Sequence, residues 1–452
     1  MTTTPERNLV TTDDPLLTVV VPAYDNGHLL EMTLHSLTLQ TLPRDRFEVI
    51  VVDDGSNVPV EPVVARYVDR LPLTYLANEV NRGRSVTRNR AIAAGRGEIV
   101  LFLDADQPAH PTTLERHRDF HVGRGLRPTV LLGRSLALDW GAIDALKRGE
   151  TPDHRVIGDY NEDIRDYLLF APSRRRDWKR APWIYGHTNN ASVDRATLDA
   201  VGGFDENLVT WGGEDNELFY RIFHHHGDDI DLFHLGDEAI TYDLPHFRVM
   251  PMLMSQLTQN MRYLAQKHPR FDMEFFGYPG NWANAVRRIM RFEDALAACE
   301  RHGLGRVDTL PAPLLAELED RDCLLIGYGA SKVRLGDGGR TFDYDAPLGE
   351  QNWHLAGVVT GLEDQRFERV VSVDLWRLFA PEELGAFLVE SVRIGRRVDL
   401  VRSAATVTPA DLLPLQIVDD LEFIRITIEP YFRLEVTEVE GTRTVSLLGP
   451  RG

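Results

Sequence analysis

The stretch EIVLFLDAD, residues 98 to 106, is an apolar run of strand length that closes on two aspartates. Such a run predicts a buried β-strand. Two carboxylates one residue apart at the end of a buried strand lose their hydration at a high cost in free energy unless a cation neutralises them. A hard divalent cation meets that need, because it takes oxygen ligands and leaves positions open for phosphate oxygens. We therefore interpret Asp104 and Asp106 as part of a cation site, with the capping of a turn as the alternative role.

Three similar apolar runs precede this strand. They cover residues 16–24, 47–54 and 72–78, and helical patterns cover residues 28–39 and 85–95. Apolar strands that alternate with helices are typical of parallel βαβ units, whose ligands bind beyond the carboxyl ends of the strands. The first strand continues into PAYDNG and not into the Gly-x-Gly-x-x-Gly of dinucleotide-binding domains. This difference argues against a Rossmann dehydrogenase.

A second acidic pair opens a helical pattern further along the chain. GGEDNELFYRIFHHHG, residues 212–227, predicts a helix that begins near Glu214 and stops at Gly227. Acids in the first turn cap free amides and complement the helix dipole, which is one sufficient role for Glu214 and Asp215. Their occurrence together with the Asp-x-Asp strand and the preceding Trp-Gly-Gly favours a functional role.

Composition excludes several classes of function. The chain has 452 residues, a formal net charge of −19 and two cysteines. Nucleic-acid binding needs a concentrated positive field, and two cysteines cannot form a disulfide framework. The sequence has no apolar run of the roughly 18 to 20 residues that span a bilayer, and its polar N-terminus lacks the apolar core of a signal peptide. We expect a cytoplasmic protein without a nucleic-acid partner or a transmembrane segment.

Four motifs, in order, resemble those of the family 2 glycosyltransferases with a GT-A fold. They are VVVPAYDNG, EVIVVDDGS, NRGRSVTRNRAIAAGRGEIVLFLDAD and GGFDENLVTWGGEDNELFYRI, and they lie within residues 15–250. The segment WGGEDNELFYR is also similar to the corresponding segment of β-1,4-galactosyltransferases. The resemblance implies an α/β fold class, the GT-A nucleotide-diphospho-sugar transferase fold with its Rossmann-like mixed sheet. It further implies an inverting, metal-dependent hexosyltransferase that moves a sugar from a nucleoside diphosphate sugar, in the first place a UDP-sugar, to a hydroxyl of a soluble metabolite, peptide or saccharide.

The same resemblance assigns roles to individual residues. It makes Asp215 the catalytic base, with Glu214 binding an acceptor hydroxyl, and it assigns the cation, Mn²⁺ or Mg²⁺, to Asp106 and His246. His234 is the competing histidine, and a packed or surface side chain is the alternative role for His246. The nucleotide-binding residues that the resemblance implies are Pro22, Ala23, Tyr24, Asp53, Gly83, Arg88 and Asp104, and the acceptor or sugar residues are Trp211, Gly213 and Asn190.

Four segments are predicted along the chain. They are a flexible leader (1–14), a GT-A domain (15–250), a helical extension (251–310) and a smaller C-terminal α/β, Rossmann-like domain (311–452). The boundary near residue 311 rests on the PAPLL segment, since proline-rich stretches interrupt regular structure.

The C-terminal domain resembles an abbreviated class I S-adenosylmethionine methyltransferase. The resemblance places Gly327 and Gly329 in its first turn and makes Asp343 or Asp345 the ribose-binding acid. The usual acid before the glycines is absent, and residues 331–341 are too few for the helix that normally follows. We therefore expect a domain that does not transfer methyl groups. A bifunctional glycosyl- and methyltransferase is one alternative function, and a non-catalytic sugar-nucleotide-binding scaffold is another.

The end of the chain alternates between apolar and polar residues. Residues 422–448 are predicted to form β-hairpin strands, with a tight turn at Glu440-Gly441. The domain that contains them is expected to dock the acceptor or to form a homo-oligomer.

Overall fold

A computed structural model of the protein describes residues 16–138, 143–144, 148, 175–278, 284–404 and 421–450. The chain divides into two compact units, Met1–Leu257 and Thr258–Gly452. The predicted leader lies outside the described residues. Within the described parts, no helix is long and apolar enough to cross a membrane.

Among the described residues, the sheet of the first unit is built from strands β1 (Leu17–Ala23), β2 (Phe47–Asp53), β3 (Leu73–Ala77), β4 (Ile99–Leu103), β5 (Val130–Ala137), β6 (Asn190–Asp194) and β7 (Phe233–Asp243). Their order is β3-β2-β1-β4-β6-β5-β7. Strand β6 runs antiparallel to both of its neighbours, and the other pairs are parallel. The predicted α/β class with a mixed sheet is therefore confirmed.

The helices of this unit connect or follow the strands. They are α1 (Gly27–Leu37), α2 (Glu61–Val64), α3 (Arg84–Ala94), α4 (Thr113–Gly123), α5 (Arg175–Arg180), α6 (Arg195–Val201), α7 (Glu214–His225) and α8 (Met250–Lys267). Helix α8 starts in the first unit and ends in the second. Most of the predicted helical extension thus belongs to the second compact unit.

The central strands are buried along almost their whole length, which explains their unbroken apolar sequences. All residues of β2 and β4 are buried, as are six of the seven in β1. The register pairs Ala23 with Asp53 and Asp53 with Ala77, so these three strands end level with one another. The predicted fourth strand was too long at its end, because Asp104 and Asp106 leave the ladder after Leu103 and enter the turn. Side chains that follow the strands consequently gather at one edge of the sheet.

The second unit has its own sheet and helices. Its described strands are β8 (Cys323–Ile326), β9 (Arg340–Phe342), β10 (Asn352–Trp353), β11 (Phe367–Val373), β12 (Gly395–Arg402), β13 (Phe432–Val439) and β14 (Thr442–Pro450), and its further helices are α9 (Phe271–Gly277), α10 (Ala285–His302), α11 (Ala312–Ala316), α12 (Pro381–Ile394) and α13 (Leu421–Ile428). The strand order is β10-β9-β8-β11-β12-β14-β13, with β14 antiparallel to both neighbours.

The tail of the chain corrects one prediction. The hairpin of β13 and β14 turns at Glu440 and Gly441, both of which have positive φ, as predicted. Residues 421–428, in contrast, form a helix and not a strand. Arg425 pairs with Glu422 three residues before it and with Glu429 four residues after it. Side chains three and four residues apart are neighbours on a helix. These ion pairs therefore favour the helix over the strand that the alternating apolar pattern predicted.

Candidate active site

The carboxyl edge of the first sheet carries most of the predicted site residues. Tyr24 follows β1, Asp53 ends β2, Asp104 and Asp106 follow β4, and Asp243 ends β7. Ligands of open α/β sheets bind at this edge. The edge also receives side chains from α3 and α7, which complete an acidic cleft.

Arg88, on α3, joins the acids of this cleft. Its Nη2 donates to Asp104 Oδ1 at 3.0 Å, and its Nη1 lies 3.1 Å from Asp215 Oδ1 and 3.3 Å from Glu214 Oε1. The side chain is 2% exposed. Burial disfavours its charge, but the three carboxylates outweigh burial and raise its pKa. A planar guanidinium can bridge several carboxylates at once, so Arg88 holds the strand-end acid and the helix acids together. Its described polar contacts are with protein carboxylates, and its guanidinium lies 5.4 Å from the centre of the Phe204 ring, whereas the resemblance implied the nucleotide.

The turn before α3 fixes the position of Arg88. Both carboxylate oxygens of Asp54 accept from backbone amides of this turn, from Arg82 at 2.9 Å and from Gly83 at 2.9 Å. Gly83 has φ of 89°, and a Cβ there would lie 2.4 Å from the carbonyl oxygen of Val209. Only glycine fits such a position. The amide of Gly83 is thus engaged by Asp54.

The two acids that open α7 have different environments. The side chain of Glu214 is 5% exposed, and its Oε2 accepts from the amide of Gly212 at 3.1 Å. Burial and the neighbouring Asp215 raise the pKa of Glu214. The side chain of Asp215 is 21% exposed. Burial acts to raise its pKa as well, but Arg88 and Thr188 outweigh burial and lower it. Asp215 is therefore the ionised and accessible acid of the pair.

Thr188 orients Asp215 and was missed by sequence reasoning. Its hydroxyl donates to Asp215 Oδ1 at 2.7 Å, and its amide donates to Oδ2 at 3.2 Å. Both atoms belong to the segment that leads into β6, and the side chain is fully buried. The sequence offers only a threonine two residues before Asn190, so no local pattern distinguishes it.

Trp211 leads into α7 through two glycines. Gly212 and Gly213 have φ of 101° and 89°, in the region that favours glycine. A Cβ on Gly212 would lie 2.8 Å from Leu257, so the segment packs closely on the first turns of α8. The amide of Trp211 donates to Gln256 Oε1 at 3.3 Å, and the side chain is half-buried. Trp211 and Gly213 therefore lie beside Glu214 and Asp215, and their role toward an acceptor or sugar stays a prediction.

Asp106, Asp243 and His246 form a cluster with the chemistry of a metal site. One ligand atom from each lies within 4.8 Å of the others, and His246 Nδ1 is 3.2 Å from Asp106 Oδ2. Burial, reinforced by Asp104 and Asp243, raises the pKa of Asp106 to about 6. Two carboxylates this close are unfavourable unless a positive charge joins them, so these residues together with the imidazole of His246 fit a divalent cation. Asp243 was missed, although its place three residues before His246 at a strand end was a usable signal.

His234, the competing histidine, lies elsewhere. Its Nε2 contacts the carbonyl oxygen of Asp231 at 2.7 Å, and its Nδ1 lies 3.3 Å from Arg124. It stands near the start of β7, whereas Asp243 ends that strand. Of the two histidines, the structure brings His246 to the acidic edge.

Two of the residues predicted to bind the nucleotide, Tyr24 and Asp53, differ in their exposure. Tyr24 is 44% exposed at the end of β1, while Pro22 and Ala23 before it are half-buried and buried. Asp53 is 3% exposed. One of its oxygens accepts from the amide and hydroxyl of Ser56, and the other accepts from Tyr75 Oη and the amide of Val60. In this structure Asp53 organises its loop, and a direct contact with a base would require these bonds to change.

Asn190 does not line the cleft, which corrects its predicted role. The residue is fully buried in β6. Its Nδ2 donates to the carbonyl oxygens of Arg134 and Ala239, at 2.9 and 2.8 Å, and its Oδ1 lies 2.8 Å from His117 Nε2. The first two bonds link β6 to β5 and β7, and the third ties the sheet to α4. Asn190 therefore has a structural role, because its side-chain amide is already hydrogen-bonded to neighbouring groups of the protein.

Comparisons with known proteins agree with this geometry. Residues 18–122 match the model "Glycosyl transferase family 2", and residues 185–246 match "N-terminal domain of galactosyltransferase". Validoxylamine A glucosyltransferase of Streptomyces hygroscopicus subsp. jinggangensis is 30% identical over 422 residues, which are 85% of this chain and 96% of that protein. Chondroitin synthase of Escherichia coli is 27% identical over 221 residues, 46% of this chain and 32% of the synthase. A mannosyltransferase from Pyrobaculum calidifontis, solved with GDP-Man and Mn²⁺, is 20% identical with a TM-score of 0.40, over 63% of this chain and 76% of that one.

The family models and the full-length relative define the class: the protein is a glycosyltransferase with a GT-A fold. Within that class, the chain belongs to glycosyltransferase family 2. The predicted family, fold and enzyme class of the N-terminal region are confirmed. The resemblance of the C-terminal domain to methyltransferases stays a prediction.

Proposed function

We propose that the protein is an inverting, metal-dependent glycosyltransferase that moves a hexose from a UDP-sugar to the hydroxyl of a small soluble acceptor. The observation that carries this proposal is the shared guanidinium of Arg88, which lies within 3.1 Å of both Asp104 and Asp215. The acids of the donor strand and of the acceptor helix consequently border one cleft. Inverting transfer needs that proximity, because the base must act on the hydroxyl while the leaving group departs on the opposite side.

Asp215 is the proposed base. Its carboxylate takes the proton of the acceptor hydroxyl as the hydroxyl oxygen forms a bond to the anomeric carbon, and the bond from that carbon to the diphosphate oxygen breaks. Arg88 and Thr188 keep Asp215 ionised and oriented for this step. Glu214, deeper in the cleft, supports the acceptor side through the turn at Gly212.

Asp106 and His246 are the proposed holders of the cation. When bound, Mn²⁺ or Mg²⁺ neutralises charge on the departing diphosphate. Asp104, which accepts a hydrogen bond from Arg88, is the proposed contact of the ribose or the sugar, and the exposed ring of Tyr24 is the proposed contact of the base. Trp211 offers an apolar face for a sugar ring.

The acceptor class is supported by a full-length relative. That relative is named for glucosyl transfer to validoxylamine A, and the alignment covers 96% of its length. We propose by analogy a small, hydroxyl-rich acceptor. The cytoplasmic location and a homo-oligomer through the C-terminal domain stay predictions.

The test is a screen of nucleotide sugars for slow donor hydrolysis, with and without Mn²⁺, followed by the Asp215→Asn variant. We expect hydrolysis of a UDP-sugar that depends on the metal. Asp215→Asn should lower transfer at least about a thousandfold while UDP affinity stays within a few-fold, because the base acts on the acceptor alone. Asp237→Asn, at an exposed position of β7 in the same unit, serves as the matched control. Equal loss of nucleotide affinity in Asp215→Asn would refute the assigned role.

The second unit is proposed to lack methyltransferase activity. Asp343, the predicted ribose-binding acid, is fully buried and accepts from the amides of Gly329, Ser331 and Asp345 and from the Ser331 hydroxyl. An acid engaged in this way holds its own loop and has little capacity left for a ribose. Calorimetry with S-adenosylmethionine should detect no binding at millimolar ligand, and tight binding would instead support the bifunctional alternative. The scaffold alternative is disfavoured by Asp215, since a scaffold has no use for an ionised base.

A further inference from the structure

The metal cluster contains an acid that neither the family motifs nor the proposed mechanism uses. Asp243 is the last residue of β7, and His246 follows it by three residues. Asp106 comes from the turn after β4. The cluster is therefore assembled from two strand ends, and each of its three side chains offers one ligand atom within 4.8 Å of the other two.

The spacing of the cluster suits a single cation. Ligands about 2.1 Å from a cation in octahedral geometry lie about 3 Å apart when adjacent and about 4.2 Å apart when opposite. The 3.2 Å between His246 Nδ1 and Asp106 Oδ2 matches an adjacent pair. The limit of 4.8 Å for the whole set requires only small side-chain adjustments.

The backbone and a buried amide hold the cluster in place. The amide of Leu244 donates to the carbonyl oxygen of Asp106 at 3.0 Å, which ties the two contributing segments together. Gln107, 2% exposed, donates from Nε2 to Asp243 Oδ1 at 3.0 Å. Its Oε1 accepts from Ser135 at 2.7 Å and from Thr241 at 2.9 Å. These two hydroxyls determine which end of the Gln107 amide faces Asp243, so the carboxylate is oriented by a buried polar chain, as second-layer groups orient metal ligands.

We propose that Asp243 is a third protein ligand of the cation, and that the protein consequently binds Mn²⁺ or Mg²⁺ before any nucleotide arrives. This inference rests on the proposed function and names a binding order for it. Two carboxylates and a neutral imidazole balance the charge of a divalent cation and supply the oxygen-rich set that hard cations prefer. If only Asp106 and His246 held the cation, the diphosphate of the donor would have to contribute most of the affinity for the cation.

Arg248 neighbours the cluster and does not prevent cation binding. Its Nη2 lies 3.6 Å from Asp243 Oδ1, and its Nε donates to His246 Nε2 at 2.8 Å. The side chain is 50% exposed. In this contact Nε2 of His246 is the acceptor, so Nδ1 carries the imidazole proton and donates to the carbonyl oxygen of Leu244 at 3.1 Å. A half-exposed arginine can leave such a contact at small cost, and Nε2 can then take the proton and leave Nδ1 available to the cation. The one positive charge of Arg248 compensates only part of the two carboxylates.

The experiment measures Mn²⁺ binding to the full-length, nucleotide-free protein, from the loss of the free Mn²⁺ signal in electron paramagnetic resonance. We expect one site in the wild type. Asp243→Asn should weaken Mn²⁺ binding at least about tenfold, the loss typical of a metal site deprived of an oriented ligand. Asp237→Asn is the matched control, because it removes one exposed carboxylate from the same strand, and it should leave the affinity within about twofold. Circular dichroism of both variants checks that they fold.

Failure of this inference can be told apart from failure of the proposed function. A wild type that binds Mn²⁺ only when UDP is present, or an Asp243→Asn variant that binds Mn²⁺ like the wild type, would overturn the role of Asp243. Metal-stimulated transfer in the same preparation would then leave the proposed function intact. Transfer that no divalent cation stimulates would refute the metal dependence itself, whatever the nucleotide-free protein binds.

Discussion

Nη1 of Arg88 lies 3.1 Å from Oδ1 of Asp215, and the other terminal nitrogen of the same guanidinium lies 3.0 Å from Asp104. The two acids are far apart in sequence and belong to different elements, a strand end and a helix start. The buried guanidinium of Arg88 thus fixes the distance between Asp104 and Asp215. In the proposed function that distance decides whether the base can reach the hydroxyl that attacks the bound sugar, so we infer that Arg88 is a positioning residue for the reaction.

Arg88→Met should damage both stability and activity. The change leaves Glu214, with 5% of its side chain exposed, without its nearest cation. Removal of one partner from a buried ion pair costs about 3–5 kcal/mol, and we expect a fall of that order in the free energy of unfolding in urea. We also expect kcat to fall at least about a hundredfold, because Asp215 loses its orientation.

Two variants give this experiment its controls. Arg88→Lys keeps the charge but not the planar fork, so it should recover more stability than activity. Arg66→Met removes an arginine that is 54% exposed and paired with Glu31 at the surface, and it should cost less than about 1 kcal/mol. A wild-type kcat in Arg88→Met would show that the carboxylates of Asp104, Glu214 and Asp215 keep their positions without the guanidinium.

Thr188→Val should lower kcat by about tenfold and move the acid limb of the pH profile upward. The Thr188 hydroxyl favours the ionised form of Asp215 and thereby lowers its pKa. Without that donor the pKa of Asp215 rises, so a larger fraction of the base is protonated at a given acidic pH. The amide of Thr188 still donates in the variant, which limits the effect. Donor affinity should not change, and Thr74→Val, exposed on β3, is the control for the substitution. A lower kcat with an unmoved acid limb would contradict this role.

The parts of the site that follow from strand geometry could be predicted from the sequence. Parallel strands of similar length end at one edge, so acids directly after them meet whatever else the chain does. Asp104 and Asp106 were singled out in this way, whereas Asp215 was singled out by the start of a helix after the Gly-Gly approach to α7. The tight turn at Glu440 and Gly441 could also be predicted, because it depends only on two neighbouring residues that adopt positive φ values.

Contacts between distant segments could not be predicted from the sequence. Arg88 and Thr188 acquire their roles from carboxylates that lie at least 16 residues away along the chain. Asn190 looked available for a sugar, but its amide is satisfied by Arg134 and Ala239, which only the folded sheet brings near. A side chain of this kind has no local signature, because hydrogen-bond satisfaction is a property of the surroundings.

Asp106→Ala should weaken UDP binding only when Mn²⁺ is present. The carboxylate is a proposed ligand of the cation that bridges protein and diphosphate, and it repels a diphosphate when the cation is missing. Calorimetric titration with UDP should therefore show at least about a tenfold loss of affinity with Mn²⁺ and no loss without it. Asp237→Ala is the comparison variant. A loss of the same size in both conditions would place Asp106 in direct contact with the nucleotide.

His121→Phe should reduce the sensitivity of the protein to acid. His121 is fully buried on α4, with Nε2 2.9 Å from Ser192 Oγ, and burial lowers its pKa to about 3, with a further contribution from His117. The unfolded chain takes up a proton near pH 6.5 that the folded protein does not, so this residue's stability contribution is complete above that pH and is lost as the pH falls below it. The loss between pH 7 and pH 5 amounts to about 2 kcal/mol. Urea unfolding should show that the fall in the free energy of unfolding from pH 7 to pH 5 is smaller by about this amount in His121→Phe. In this variant Ser192 Oγ still has His117 as a partner. His28→Phe, at an exposed position of α1, should keep the wild-type difference, and an unchanged difference in His121→Phe would mean that His121 takes up a proton in the folded protein after all.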